Sequence, residues 1–189
     1  MFNKNYLIID TATAPCSISL LVGGNLTSII LEHSSQTKAI IPVIESLLNS
    51  NNFYLKDLDA IAICIGPGSY TGTRIGVMTA KTLSFGSNIP LIPFSTFDLF
   101  EENKPYAALD ARCNRCYVKD INGIISLVNH KDLENILDPV HTIDTKPFAE
   151  LNLKKTNKNI KIFLKLLPSL EAISHENLVL DYPTIENNT

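Results

Sequence analysis

The chain has 189 residues, 45% of them hydrophobic, which is enough to bury a core in one domain or two small lobes and excludes disorder as the main state. Sixteen Lys and Arg stand against 19 Asp and Glu for a formal charge of -3, so the basic excess that drives non-specific phosphate binding is missing, and RNA binding by the chain alone is disfavoured. The longest apolar runs, such as Ile61 to Ile65, fall far short of the roughly 20 residues of a membrane helix, and the start Met1-Phe2-Asn3-Lys4-Asn5 lacks the parts of a signal peptide, so no membrane span and a cytoplasmic location are expected.

Tyr6 to Asp10 reads as a buried strand, Cys16 to Val22 as a second and Leu26 to Leu31 as a third. Thr11-Ala12-Thr13-Ala14-Pro15 makes a polar turn between the first two, and Gly23-Gly24-Asn25 supplies the positive φ angles of a hairpin, so a three-stranded meander opens the chain. A helix is expected from Ser34 or Ser35, with Ile40, Ile44, Leu47 and Leu48 at helical spacing and Asn49 to Asn52 as its end. Pro42 stands past the first turn of such a helix, which predicts a later start or a kink. Ala60 to Ile65 has the all-apolar character of a strand covered on both faces. The loop Gly66-Pro67-Gly68-Ser69-Tyr70-Thr71-Gly72 follows, and then a helix carrying Ile75, Met78, Thr79, Thr82 and Leu83 that stops around Gly86. Gly76 and Ala80, four residues apart, leave room on it for the close approach of another helix. Ile89 to Pro93 is the next strand, with a short helix capped by Ser95 or Thr96 after it, and this strand, loop, helix, strand order calls for parallel pairing.

A second lobe is expected after Lys104-Pro105, dividing the chain into 1–104 and 105–189. It opens with strands at Tyr106 to Asp110, Tyr117 to Ile121 and Ile124 to Val128, the last two joined by a hairpin at Asn122-Gly123. Lys131 to Leu137 and Pro147 to Lys155 read as helices, the second with its proline at the first position. Lys158 to Leu167 is apolar and basic without a clean period, and Glu186 to Thr189 reads as a frayed tail. No internal repeat is read.

Two loops could present backbone N–H groups to an anion, the turn after the first strand and the glycine loop at a helix entry. Their candidate phosphate-binding residues are Asp10, Thr11, Thr13, Gly66, Gly68, Ser69, Thr71, Gly72 and Arg74. Neither loop is a Walker motif, and the same glycines can serve only to turn the chain. Asp10 suits either a water-mediated magnesium contact or a cap on the turn that follows it. No H-E-x-x-H, G-x-S-x-G or paired ligand spacing occurs, and His33, His130, His141 and His175 are scattered, so no catalytic and no metal-ligating residue is nominated. Cys16 and Cys64 sit in apolar runs as small hydrophobes, while Cys113 and Cys116 form a C-x-x-C that, without further ligands nearby, supports neither a zinc site nor a thioredoxin motif strongly. An ion pair or a solvated position explains the flanking Arg112 and Arg115 at least as well as a phosphate site does.

Taken in order, these segments resemble the TsaB (YeaZ) family over residues 6 to 117. The resemblance rests on Ile8-Ile9-Asp10-Thr11-Ala12-Thr13, on His33 and Gln36 ahead of Ile41-Pro42, on Gly66-Pro67-Gly68-Ser69-Tyr70-Thr71-Gly72-Thr73-Arg74-Ile75-Gly76, and on Asp110-Ala111-Arg112 with Tyr117. It implies an α/β fold of the actin-like ATPase class (ASKHA, ribonuclease H-like), two lobes of mixed sheet flanked by helices, shared with the catalytic paralogue TsaD. The resemblance also leads one to expect a shortened second lobe, with only Tyr182-Pro183 echoing the usual ending. In the catalytic relative, two histidines separated by three residues hold a metal after the strand that follows the glycine-loop helix. Thr96 and Phe100 stand in their places here, which implies a fold kept and a metal site lost.

The implied role is a non-catalytic scaffold or activator that works with TsaD and the ATPase TsaE in forming N6-threonylcarbamoyladenosine next to the anticodon of tRNAs, meeting the tRNA through the complex. The implied partner surface is the pair of N-lobe helices, through Gln36, Ile40, Ile44, Leu47 and Leu48 on the first and Ile75, Gly76, Met78, Thr79, Ala80 and Leu83 on the second. A homodimer through the same face is the competing use. No intrinsic cofactor is implied, and ATP or ADP would bind at a composite site formed with the partner. The alternative reading is a stand-alone nucleotide-binding hydrolase or an inactive metalloprotease-like protein.

Overall fold

The computed structural model describes residues 4–31, 36–100, 106–136, 138–151 and 153–180, with the backbone alone at 36–38. The chain forms two compact units, Met1–Thr96 with Ser169–Leu180 and Phe97–Pro168. The joint expected at Lys104-Pro105 lies outside the described residues. The units divide after Thr96, and the segment 169–180 returns to the first of them.

In the first unit, β1 (Tyr6–Asp10), β2 (Cys16–Val22), β3 (Asn25–Leu31), β4 (Ala60–Cys64) and β5 (Leu91–Phe94) form one sheet in the order β3-β2-β1-β4-β5. The meander β1-β2-β3 is antiparallel, and β1-β4 and β4-β5 are parallel, as the crossover order requires. Gly23 and Gly24 hold φ of 55° and 87°, the two positive angles that let Val22 pair directly with Asn25. Every residue of β1 and β4 is buried.

Helix α1 (Gln36–Ser50) covers β2 and β3, while α2 (Tyr70–Ser87) covers β1, β4 and β5. The candidate caps Ser34 and Ser35 lie outside the described residues. Helix α1 runs through the exposed Pro42, which has no N–H to donate, so the helix is one backbone hydrogen bond short there. Ser69 caps α2 by accepting from the Gly72 N–H at 3.1 Å. The helix passes Gly86 and stops at Asn88, whose φ of 53° is a left-handed cap that asparagine tolerates. Leu7, Ile9, Ile18, Leu20, Ile61 and Ile63 meet Ile40, Ile44, Leu47, Val77 and Ala80 in the core. The returning segment closes the outer edge of β5, where Ile173 and Leu91 exchange backbone hydrogen bonds of 2.7 and 2.8 Å. Leu178 enters the same core, and Lys81 Nζ donates to its carbonyl at 3.0 Å.

In the second unit, β6 (Tyr106–Arg112), β7 (Arg115–Lys119), β8 (Ile125–Asn129), β9 (Val140–Thr142) and β10 (Lys154–Lys155) lie in the order β8-β7-β6-β9-β10. Counted from its own first strand, this sheet repeats the first one: two antiparallel pairings on one side and two parallel pairings on the other. The repeat is one of topology, with no counterpart read in the sequence. What differs is the helical cover. Between third and fourth strands the first unit has the 15 residues of α1, and the second a 3₁₀ stretch, His130–Asn135. Between fourth and fifth strands the 18 residues of α2 are answered by a single turn, Lys146–Phe148.

The α-helices expected at Lys131 to Leu137 and Pro147 to Lys155 are therefore corrected to these short turns, because the chain must rejoin the sheet at Val140 and again at Lys154. The β7-β8 hairpin is also wider than its Asn-Gly signal suggests. Asp120 Oδ1 accepts from the N–H groups of Asn122 and Ile124 at 2.9 and 2.8 Å, so the carboxylate organises a loop from Asp120 to Ile124. The ambiguous basic stretch contains α3 (Ile160–Leu166), capped by Asn159. One face of the second sheet buries Ala108, Cys116, Val118, Leu133, Val140 and Phe148, the other Ala107 and Leu109 with Phe97 and Phe100. Among the described residues no helix is long and apolar enough to cross a membrane.

Candidate functional site

The two loops singled out as anion sites meet each other. Ser69 N–H donates to Ala12 O at 2.6 Å, Thr11 Oγ1 donates to Gly72 O at 2.7 Å, and the buried Asp10 accepts from Ala12 N–H at 3.2 Å, which is its turn-capping role. Gly68, Gly72 and Gly76 follow one another at intervals of four along this contact. A Cβ on Gly68 would strike the Ala12 carbonyl, one on Gly72 the Thr11 carbonyl, and one on Gly76 the Thr11 hydroxyl. The glycines are thus used to let the turn after β1 lie against the start of α2. A phosphate at Ser69 would have to displace the Ala12 carbonyl, so this loop does not fit a phosphate cradle.

Gly66 and Thr13 belong to the same contact, since the Gly66 carbonyl accepts from Thr96 N–H at 2.8 Å and the Thr13 methyl flanks Gly68. Arg74 does not. It is exposed and stacks on Tyr70, with its guanidinium carbon 3.7 Å from the ring centre, and Thr71 is also exposed.

Thr96 is fully buried and donates to Pro67 O at 2.7 Å, with Cys64 Sγ 3.3 Å away. Its hydroxyl is committed to holding the glycine loop. Phe100 is buried in the second unit, in edge contact with Phe97 at 5.4 Å between ring centres. Where the resemblance puts metal ligands in a catalytic relative, this chain carries a loop brace and a core aromatic. Sequence reading missed the brace, which only the packing of β4, β5 and the loop reveals.

The helix residues nominated for a partner divide sharply. Ile40, Ile44, Leu47, Leu48, Gly76 and Ala80 are buried in their own unit, because they are the stripes that α1 and α2 turn toward the sheet. Ile75, Thr79 and Leu83 are half-buried. The side chain of Gln36 lies outside the described residues. Met78 is 62% exposed, and Phe85, which was not nominated, is 73% exposed. Tyr70, Arg74, Met78 and Phe85 follow at steps of four, four and seven, one stripe along the outside of α2, and that period was available in the sequence. On α1 the outward residues include Ile41 and Pro42.

The C-x-x-C cysteines are unlike one another. Burial, then the carboxylates of Asp110 and Asp132, push the Cys116 thiol up to about 12, whereas Cys113 is exposed in the β6-β7 turn. Nearby, His130 Nε2 lies 3.1 Å from the Arg115 carbonyl and 3.5 Å from Asp110 Oδ1.

A family model described as TsaD, tRNA N6-adenosine threonylcarbamoyltransferase, matches residues 30–151, more than half of the chain. The chain belongs to this family. Its curated relatives include the tRNA threonylcarbamoyladenosine biosynthesis protein TsaB of Haemophilus influenzae, 38% identical over 130 residues, covering 64% of this chain and 55% of that protein. The protein of the same name from Escherichia coli is 34% identical over 131 residues, covering 62% of this chain and 57% of that protein. These matches meet the TsaB resemblance drawn from the motifs, and they span little more than half the length of either relative. A crystal structure from Pseudomonas aeruginosa, of an uncharacterized protein with similarity to peptidase YeaZ, superposes with a TM-score of 0.75 over 96% of this chain and 100% of that one at 19% identity, which supports the two-unit α/β fold.

Proposed function

We propose that this chain acts as a TsaB-type subunit in the formation of N6-threonylcarbamoyladenosine in tRNA, supporting a TsaD partner rather than carrying the chemistry, in the cytoplasm and together with TsaE. One observation carries the non-catalytic half of this reading. At the two positions where the resemblance calls for metal ligands, the Thr96 hydroxyl is bonded to the Pro67 carbonyl and Phe100 is core. The curated relatives named TsaB support the pathway. The exposed stripe of α2, Met78 and Phe85 with Tyr70 and Arg74, together with Ile41 on α1, supports a partner surface on the outside of the two helices, with the packing of the buried stripes left to the chain's own core. A nucleotide, if one binds, belongs to a composite site with TsaD, because the glycine loop is filled by the turn after β1.

The deciding experiment is co-purification with the cognate TsaD, followed by tRNA modification assays with each protein alone and with both. Modification is expected only when TsaD is present, and faster when this chain is added. Modification by this chain alone, or a rate with TsaD that ignores it, refutes the proposal.

A further inference from the structure

We infer that the second unit carries an RNA-backbone contact surface on β10 and α3. Five of the chain's 16 Lys and Arg, and none of its 19 Asp and Glu, fall between Lys154 and Lys165. In a protein whose net charge is negative, this concentration is a local reversal.

The segment is held rather than loose. Thr156 N–H donates to Thr142 O and Asn159 N–H to Leu99 O, both at 2.8 Å, and Lys158 forms a backbone bridge with Phe100. Thr156, Phe163 and Leu167 are buried, and these inward anchors fix which way the lysines turn. Lys154, Lys155, Lys161 and Lys165 are exposed and Lys158 is half-buried. Lys161 and Lys165 stand one turn apart on one face of α3, and the Asn159 cap sets the start of that helix.

Point cations on flexible stems, fixed at their base and spread over a strand and a helix, suit a ladder of phosphates. A lipid surface is the poorer fit. Leu166 is the segment's one large apolar side chain with substantial exposure, 40%, so there is little to insert beneath the headgroups. The identity of the RNA as tRNA rests on the proposed function, while the preference for phosphates rests on the lysines alone.

Binding of fluorescent tRNA to the full chain should be followed between about 50 and about 200 mM salt, with the thermal transition as a folding control. Five phosphate contacts give a log–log salt slope of about -3.5 to -4.5. The variant K158Q/K161Q/K165Q should keep its thermal transition, bind more than about tenfold more weakly at the low salt, and show a slope of about -1.6. K131Q/K146Q, which changes lysines elsewhere in the unit, should bind as the parent does. No binding at low salt, a slope unmoved by the triple substitution, or an equal loss in the control pair overturns the inference. So does lysine-dependent binding to phosphatidylglycerol vesicles in the absence of tRNA binding. The modification assay is separate: tRNA binding without any effect on TsaD would leave this surface standing and remove the proposed function.

Discussion

Gly68 and Gly86 show how one residue type can carry opposite predictions within a few turns of chain. A side chain at 68 meets the backbone of Ala12, while at 86 nothing stands within 4 Å and the backbone is helical. Gly68→Ala should destabilise by about 1–3 kcal/mol through forced displacement of backbone. Gly86→Ala should stabilise by about 0.4–1 kcal/mol by restricting the unfolded chain. Urea titration of both variants reads the two signs directly. Spacing could place these glycines in a loop and a helix, but it could not tell a seam from a phosphate cradle, because the turn that fills the seam lies more than fifty residues earlier.

The two cysteines separate in the same manner. Cys113 should alkylate at neutral pH and Cys116 should not until the protein unfolds. Because the Cys116 thiol is raised in the folded state, its protonated form is favoured there, so its contribution to stability is complete below the ordinary thiol range and declines as pH climbs toward about 12. An alkaline unfolding series on Cys116→Ala should lose that part of the decline.

Among the elements, the strands of the first unit were legible to within one or two residues. Strands β1 and β2 match their expected bounds, and the all-apolar run at 60–65 is indeed the buried centre of a parallel pairing. The failures lie in the second unit, where Pro147 and a helix-like composition suggested turns of α-helix that the sheet leaves no chain to build. Composition reports what a segment could do, and the distance to the next strand decides what it does. On α2 the same limit applied to faces: periodicity found the stripes but not which one met the sheet. Met78→Asp, on the outward stripe, should leave stability within about 0.5 kcal/mol while weakening capture of the proposed TsaD partner more than about tenfold, a pair of readings separable by melting and pull-down. Val77→Asp, on the buried stripe, should unfold the chain instead.

At the level of the whole molecule, two sheets of one strand order have been given unequal cover. The first buries its central strands beneath two helices of 15 and 18 residues, and the second beneath short turns. Amide exchange should therefore run through openings that cost at least about 1 kcal/mol less in β6, β7 and β9 than in β1 and β4. Equal protection in both sheets would contradict this reading. The strap from Ser169 to Leu180, which zips onto the rim of β5 and plugs the oily interior with Leu178, brings a consequence for biogenesis. A nascent polypeptide has all five strands of this sheet in hand about seventy residues before that strap is made, so the sheet waits with a raw border until residues 169 to 180 have left the ribosome.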